Sequence, residues 1–219
     1  MTDALVISIQ VGQARVYPPA ADDAAGAECA SALKKQAISG PVMLSPAGVS
    51  GDMQADTVNH GGPDRAVLVY ARRHYPVWER EWGRALPPGS FGENFTVAGQ
   101  DEYCVSIGDI YALGGCRLQV AYPRQPCAKL DRVLRRPGLE RAIRSNFRSG
   151  WFLRVLQGGE VAAGQPLRLQ ARPYPQWTIG RVSEIMYHEP ENHAAARALA
   201  SVSDLAWAWR KKFAARAGG

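Results

Sequence analysis

The chain has 219 residues, 46% of them hydrophobic, and a formal net charge of +6. That is enough apolar content for a substantial buried core, while no apolar run approaches the ~20 residues a spanning helix needs, so a helical membrane protein is excluded. The charge admits three readings: a nucleic-acid partner, a site for an anionic small molecule, or a merely basic surface.

In chain order, MTDALVISIQVG lacks a basic leader and a small-residue cleavage site, and reads as a first strand rather than a signal peptide. A cytoplasmic location is the corresponding expectation. From Ala4 to Ala171 short β-type segments follow one another: ALVISIQV, AVLVYA, NFTVAG, EYCVSI, DIYALG, CRLQVAY, WFLRVL and PLRLQA. Gly and Pro pairs separate them, which predicts a barrel or sandwich.

Two helical interruptions are expected. RRHYPVWEREWG, Arg72 to Gly83, places Tyr75, Trp78 and Trp82 at helical spacing, and Ala128 to Phe147 should be split at Pro137-Gly138. Beyond Ala171 the patterning becomes helical. Thr178 can cap a helix through Tyr187, Pro190 restarts the chain, and Ser203 can cap a last helix carrying Leu205, Trp209 and Phe213. The expected organisation is a β domain over residues 1–172 and a three-helix unit over 173–219.

Four cysteines are present, Cys29, Cys104, Cys116 and Cys127, without zinc-finger spacing. Cys116 alternates with Leu118 and Val120 and reads as core; Cys104 reads as a strand residue and Cys29 as part of an alanine-rich loop or short helix. Cys127 differs, lying at a strand end in PRQPCAKLD between Arg124 and Lys129. Nearby cations favour the thiolate, the form that binds metal or attacks as a nucleophile, and a small packed residue is the alternative.

Two further segments carry candidates. In GDMQADTVNHGGPDRAVLVY, Gly61 and Gly62 can form an anion-binding backbone turn and Arg65 can contact phosphate, while His60 is a ligand, a proton donor or a prop for the loop. In FGENFTVAG, Asn94 offers donor and acceptor groups to a heterocycle and Gly92 permits close approach, or the segment is simply a turn into a strand.

Taken in order, GDMQAD, HGGPDRAV, FGEN, IGDIYALGGCRLQVAYPRQPC and GWFLRVLQGGEVAAG resemble the MOSC domain, named for the C-terminal domain of molybdenum cofactor sulfurases. The resemblance runs from about Ser31 to Gln170, and the helical tail is similar to the extension of the YiiM-like bacterial branch. It implies a mainly β, barrel-like fold with inserted helices and a C-terminal three-helix extension. It also implies a molybdenum cofactor, an anionic pterin phosphate, with Cys127 as the metal's thiolate ligand. Arg65 and Arg124 become candidates for phosphate or pterin contacts, Asn94 for a polar contact, His60 and Gly61-Gly62 for the cofactor turn, and Lys35 for a family lysine near the cofactor, with the adjacent Lys34 as its alternative.

The activity this implies is reduction of N-hydroxylated compounds, such as 6-N-hydroxylaminopurine, to amines, a detoxifying oxidoreductase in which His60 could act beside Cys127. Without a G-x-G-x-x-G fingerprint or a cysteine cluster, no bound flavin, haem or iron–sulfur centre is expected, so electrons must come from a separate flavin- or iron–sulfur-type protein. A monomer or homodimer is expected. Two alternatives remain: a sulfur or cofactor carrier bearing a Cys127 persulfide, and a nucleic-acid-binding module. Trp78, Trp82, Trp207 and Trp209 are read as core, which disfavours the last.

Overall fold

The computed structural model describes residues 4–19, 28–55 and 61–218. The N-terminal half contributes β1 (Ala4–Gly12), β2 (Arg15–Tyr17), β3 (Cys29–Ser31), β4 (Lys35–Ala37), β5 (Val42–Ser45), β6 (Gly48–Val49) and β7 (Val67–Ala71). Helix α1 (Tyr75–Trp82) precedes β8 (Phe95–Ala98), β9 (Ile110–Leu113) and β10 (Cys116–Pro123). Then come α2 (Lys129–Leu134), α3 (Leu139–Asn146), β11 (Trp151–Gln157), β12 (Gly159–Val161) and β13 (Pro166–Ala171). The tail is α4 (Ile179–Tyr187), α5 (His193–Ala200) and α6 (Trp207–Ala217). Among the described residues no helix is long and apolar enough to cross a membrane.

Seven strands close into a barrel in the order β13-β9-β10-β11-β7-β8-β1, the seam being the pairing of Ala4 with Leu167 and Leu5 with Pro166. All neighbours are antiparallel except β7 and β8. Closure leaves the barrel without a free edge, which is how a small β domain avoids templating other strands. The far end of β1 runs on to pair with β4, while β5, β6 and β12 form a small separate sheet.

Strand β7 is buried throughout, so its alternation separates two apolar environments rather than core from water. Val67, Val69 and Ala71 join the barrel core. Tyr70 points the other way, into a second cluster with Tyr75, Trp78, Trp82, Phe91, Leu130, Leu139 and Ile143. Its rings stack and meet edge to face, as with Tyr70 on Phe91 at 4.6 Å, and such pairs add about 0.5–1.5 kcal/mol beyond their buried area.

The helical tail does not sit apart. Ile179, Val182, Ile185, Leu199, Trp209 and Phe213 belong to the same apolar cluster as the barrel residues Val120, Ala121 and Tyr122. Polar ties reinforce the join: Ala206 N donates to Ala121 O at 3.1 Å, and Arg154 Nη1 to Asp204 O at 2.7 Å. The helix starting at Ile179 is capped as expected, with Thr178 Oγ1 accepting from Arg181 N. Thr178→Ala should cost about 1 kcal/mol, read as a Tm lower by roughly 2–4 °C for a chain of this size; an unchanged Tm would mean the cap is satisfied some other way.

Three expectations are corrected. EYCVSI is not a strand: Asp101 Oδ1 accepts from Tyr103 N and Asp101 O from Cys104 N, so aspartate turn chemistry replaces extended pairing and leaves Cys104 exposed. Ser203 does not cap the last helix, because the bond from Ala206 N to Ala121 O holds the chain on the barrel and α6 starts only at Trp207. Trp207 is not core but 64% exposed, because two residues carry it to the opposite side of the helix from the buried Trp209. The split of the second interruption falls where Pro137-Gly138 requires, with Gly138 at φ 83.

Candidate functional site

A cavity of about 440 Å³ lies on the outer face of the barrel wall, not in its lumen. Its floor follows from strand register. Leu68 of β7 pairs with Phe152 of β11, which pairs with Tyr122 of β10, so three outward-facing residues form one row. The tail closes it from above through Ala208, Trp209 and Lys212 of α6, with Trp209 and Tyr122 rings 6.0 Å apart. The remaining wall comes from Ala30 to Leu33, Lys35, Asp52 to Ala55, Gly92, Asn94 and the Arg124–Cys127 loop.

Cys127 reaches this cavity because its loop is anchored at both ends. On one side β10 ends at Pro123, and Arg124, almost fully buried, donates from Nη1 to Phe91 O at 2.7 Å. On the other, Cys127 O accepts from Leu130 N, and Leu130 is part of the aromatic cluster. The thiol is half-buried and lines the cavity.

Among the described residues, five basic side chains line the cavity, Lys35, Arg65, Arg124, Lys129 and Lys212, against one carboxylate, Asp52. Burial pushes Lys35 below the usual lysine range, partly offset by Asp52, and burial likewise lowers the Arg124 guanidinium. Lys212 is lowered by burial and by Arg65, Arg144 and Arg216. Crowded cations of this kind form a field that an anion relieves. Arg65 Nε donates to the Tyr122 hydroxyl, which aims the guanidinium over the floor. Lys212 Nζ donates to Gln125 Oε1 at 2.6 Å and so ties α6 to the cysteine loop.

Asp52 is the residue that sequence reading missed, although it lies in the GDMQAD segment. Its carboxylate accepts from Lys35 Nζ, from Gly12 N at 2.7 Å and from Asn94 Nδ2 at 2.8 Å. Asn94 in turn accepts from Leu68 N at Oδ1 and donates to Gln10 O, so its amide is committed to holding the wall. Of the two adjacent lysines, Lys35 faces the cavity, whereas Lys34 lies over the Tyr17 ring. Asp52→Asn removes the charge but keeps acceptor oxygen, and should cost about 1.5–3 kcal/mol of stability in denaturant titration, the usual weight of hydrogen bonds to charged groups. A loss under about 0.5 kcal/mol would show that Lys35 is neutral there.

Gly61 and Gly62 do not line the cavity; Gly62, at φ 101, opens the short turn that delivers Arg65. His60 lies outside the described residues. Among those described, no group of three or more His, Cys, Asp or Glu side chains is placed to hold a metal.

Comparison with known proteins now decides the family. A model of the MOSC domain matches residues 56–168, and a model of the YiiM-like, 3-alpha helix domain matches residues 177–216. The chain belongs to the MOSC family. This MOSC protein is 38% identical to the uncharacterized protein YflK of Bacillus subtilis over 86% of its own length and 85% of that relative. It is 31% identical to protein YiiM of Escherichia coli, covering 94% and 89% of the two chains. A protein named "Reductase" from Gibberella moniliformis is 41% identical over 74% of this chain, which spans only 30% of that protein. The crystal structure of YiiM from Geobacillus stearothermophilus superposes with a TM-score of 0.82 at 33% identity, covering 98% and 99% of the chains.

Proposed function

We propose that this MOSC protein holds a molybdenum cofactor in the cavity beneath α6, with Cys127 as the protein's thiolate ligand, and reduces N-hydroxylated compounds to amines. The observation that carries the reading is the pairing of Cys127 with five basic side chains around one cavity of small-molecule size. A single soft thiolate with an anion-seeking wall suits an anionic pterin phosphate bearing a metal that takes its other ligands from the cofactor. The relative named "Reductase" supports the oxidoreductase class.

When bound, the cofactor supplies the two-electron chemistry; the chain supplies position, charge and protons. Arg65 and Lys212, on the floor and roof, are placed to bind phosphate, with Arg65 preset by Tyr122. Arg124 stabilises negative charge at Cys127 from its buried position, in keeping with the attraction between the two. The conversion of R–NHOH to R–NH2 and water consumes two electrons and two protons, and the buried Lys35 ammonium, held by Asp52, is a proton donor in the described wall. Phe152, Tyr122 and Trp209 give a planar heteroaromatic substrate an apolar surface.

The test uses protein expressed in a host that makes the cofactor. Near-stoichiometric molybdenum and pterin, together with conversion of 6-N-hydroxylaminopurine to the amine by a reduced viologen, is the expected result. Metal and pterin without turnover would leave the carrier reading, in which Cys127 bears a persulfide, as the better one; neither metal nor uptake of it by apo protein would overturn both.

A further inference from the structure

We infer that the rim formed by α6 is a docking face for an acidic electron-transfer protein, an inference that rests on the reductase reading. Within its eleven residues α6 carries Arg210, Lys211, Lys212 and Arg216 and no acidic residue. Ala208 and Lys212, one helical turn apart, line the cavity; Trp207 and Lys211 form the next row, just outside it. Trp207 is the most exposed large hydrophobic residue among those described, and Lys211 Nζ lies 5.3 Å from the centre of its ring. Met53, at 46% exposure, lines the same cavity.

An exposed tryptophan on cation-bearing helix surface is costly to leave in water and is the residue type that dominates interface energetics, with methionine also enriched there. Lysines around it steer an oppositely charged partner and set its orientation. The purpose is at hand: each substrate reduced consumes two electrons, and a donor seated on α6 delivers them over Trp209 and Lys212, which belong to the cavity itself. A second copy of this chain would set one acid-free helix against another and be repelled. Single-stranded nucleic acid is matched by a groove of several exposed aromatics, whereas Trp78, Trp82 and Trp209 are buried. The small patch suits the weak, short-lived contacts of redox partners.

The experiment takes cofactor-loaded protein and an acidic flavodoxin with its reductase as the probe. Trp207→Ala/Lys211→Glu is compared with wild type and with Arg168→Glu, which changes charge on β13 away from the cavity wall. Expected are a flavodoxin affinity weakened at least about 30-fold in the double variant, a salt-sensitive affinity in wild type, near-wild-type binding by Arg168→Glu, and unchanged turnover with reduced viologen. Equal loss in Arg168→Glu, no loss in the double variant, or salt-sensitive binding of single-stranded DNA in place of flavodoxin would overturn the docking face. Flavodoxin binding with no viologen-driven turnover in wild type would overturn the reductase reading, and with it the electron-transfer purpose.

Discussion

If Cys127 holds the cofactor's metal as proposed, Cys127→Ser should remove molybdenum from the purified protein and lower N-hydroxylaminopurine turnover by more than about 100-fold, since changes merely behind a metal's ligands already cost 10–100-fold. Serine is nearly the same size but a hard, weakly acidic ligand, so on the proposed reading the metal would lose the thiolate that holds it to the protein. Because Cys127 is half-buried and its carbonyl, which serine keeps, accepts from Leu130 N, the variant should melt within about 1 kcal/mol of wild type. Cys104→Ser, at an exposed turn remote from the cavity wall, is the matched control and should change nothing. Metal analysis and turnover on the three proteins decide it; a fully loaded, active serine variant would end the assignment of Cys127.

Gly150→Ala is the second large effect, this time on stability. Gly150 adopts φ +77, and a Cβ there would meet Val69 O at 2.2 Å, backbone that cannot swing aside. Left-handed strain of about 1–2 kcal/mol and overpacking of about 1–3 kcal/mol together predict a loss of roughly 2–5 kcal/mol. That is a large part of the 5–15 kcal/mol a typical domain has. The damage also reaches the site, because Gly150 O accepts from Arg124 N and Gly150 N donates to Glu102 Oε1. Gly164→Ala, at φ +88 with nothing near its Cβ, isolates the strain alone. Guanidinium titration of both should separate them by at least about 1 kcal/mol; equal losses would mean that Val69 gives way.

Much of the barrel was legible because its strands alternate apolar and polar residues or run apolar throughout, as in Val67–Ala71 and Cys116–Pro123. The short strands Cys29–Ser31, Lys35–Ala37 and Gly159–Val161 carry too few residues to show a period, and pairing partners far along the chain create them. EYCVSI had strand-like composition, but the aspartate before it wrote a turn. The site was legible in its pieces, since Cys127, Arg65, Arg124, Asn94 and Lys35 all lie in the cavity wall. What one dimension hides is their common surface: Lys212 and Trp209 join only because α6 folds back over β10, and Asp52 gains meaning only beside Lys35 and Asn94. Trp207 shows the converse, a side chain whose apolar neighbours in sequence face the other way.

The roof over the cavity also sets a timetable. A ribosome releases roughly 5–20 residues per second, and N-terminal structure forms first, yet β1 finds its second barrel partner only when β13 appears, and the cavity gains its lid only when α6 follows. A chain still being synthesised therefore exposes the floor of Leu68, Tyr122 and Phe152 and the Cys127 thiol to solvent for many seconds. A ligand too large to pass the finished rim would have to enter before this roof closes, and truncating α6 would uncover the floor while stripping Trp209 and Phe213 from the apolar cluster they share with the barrel.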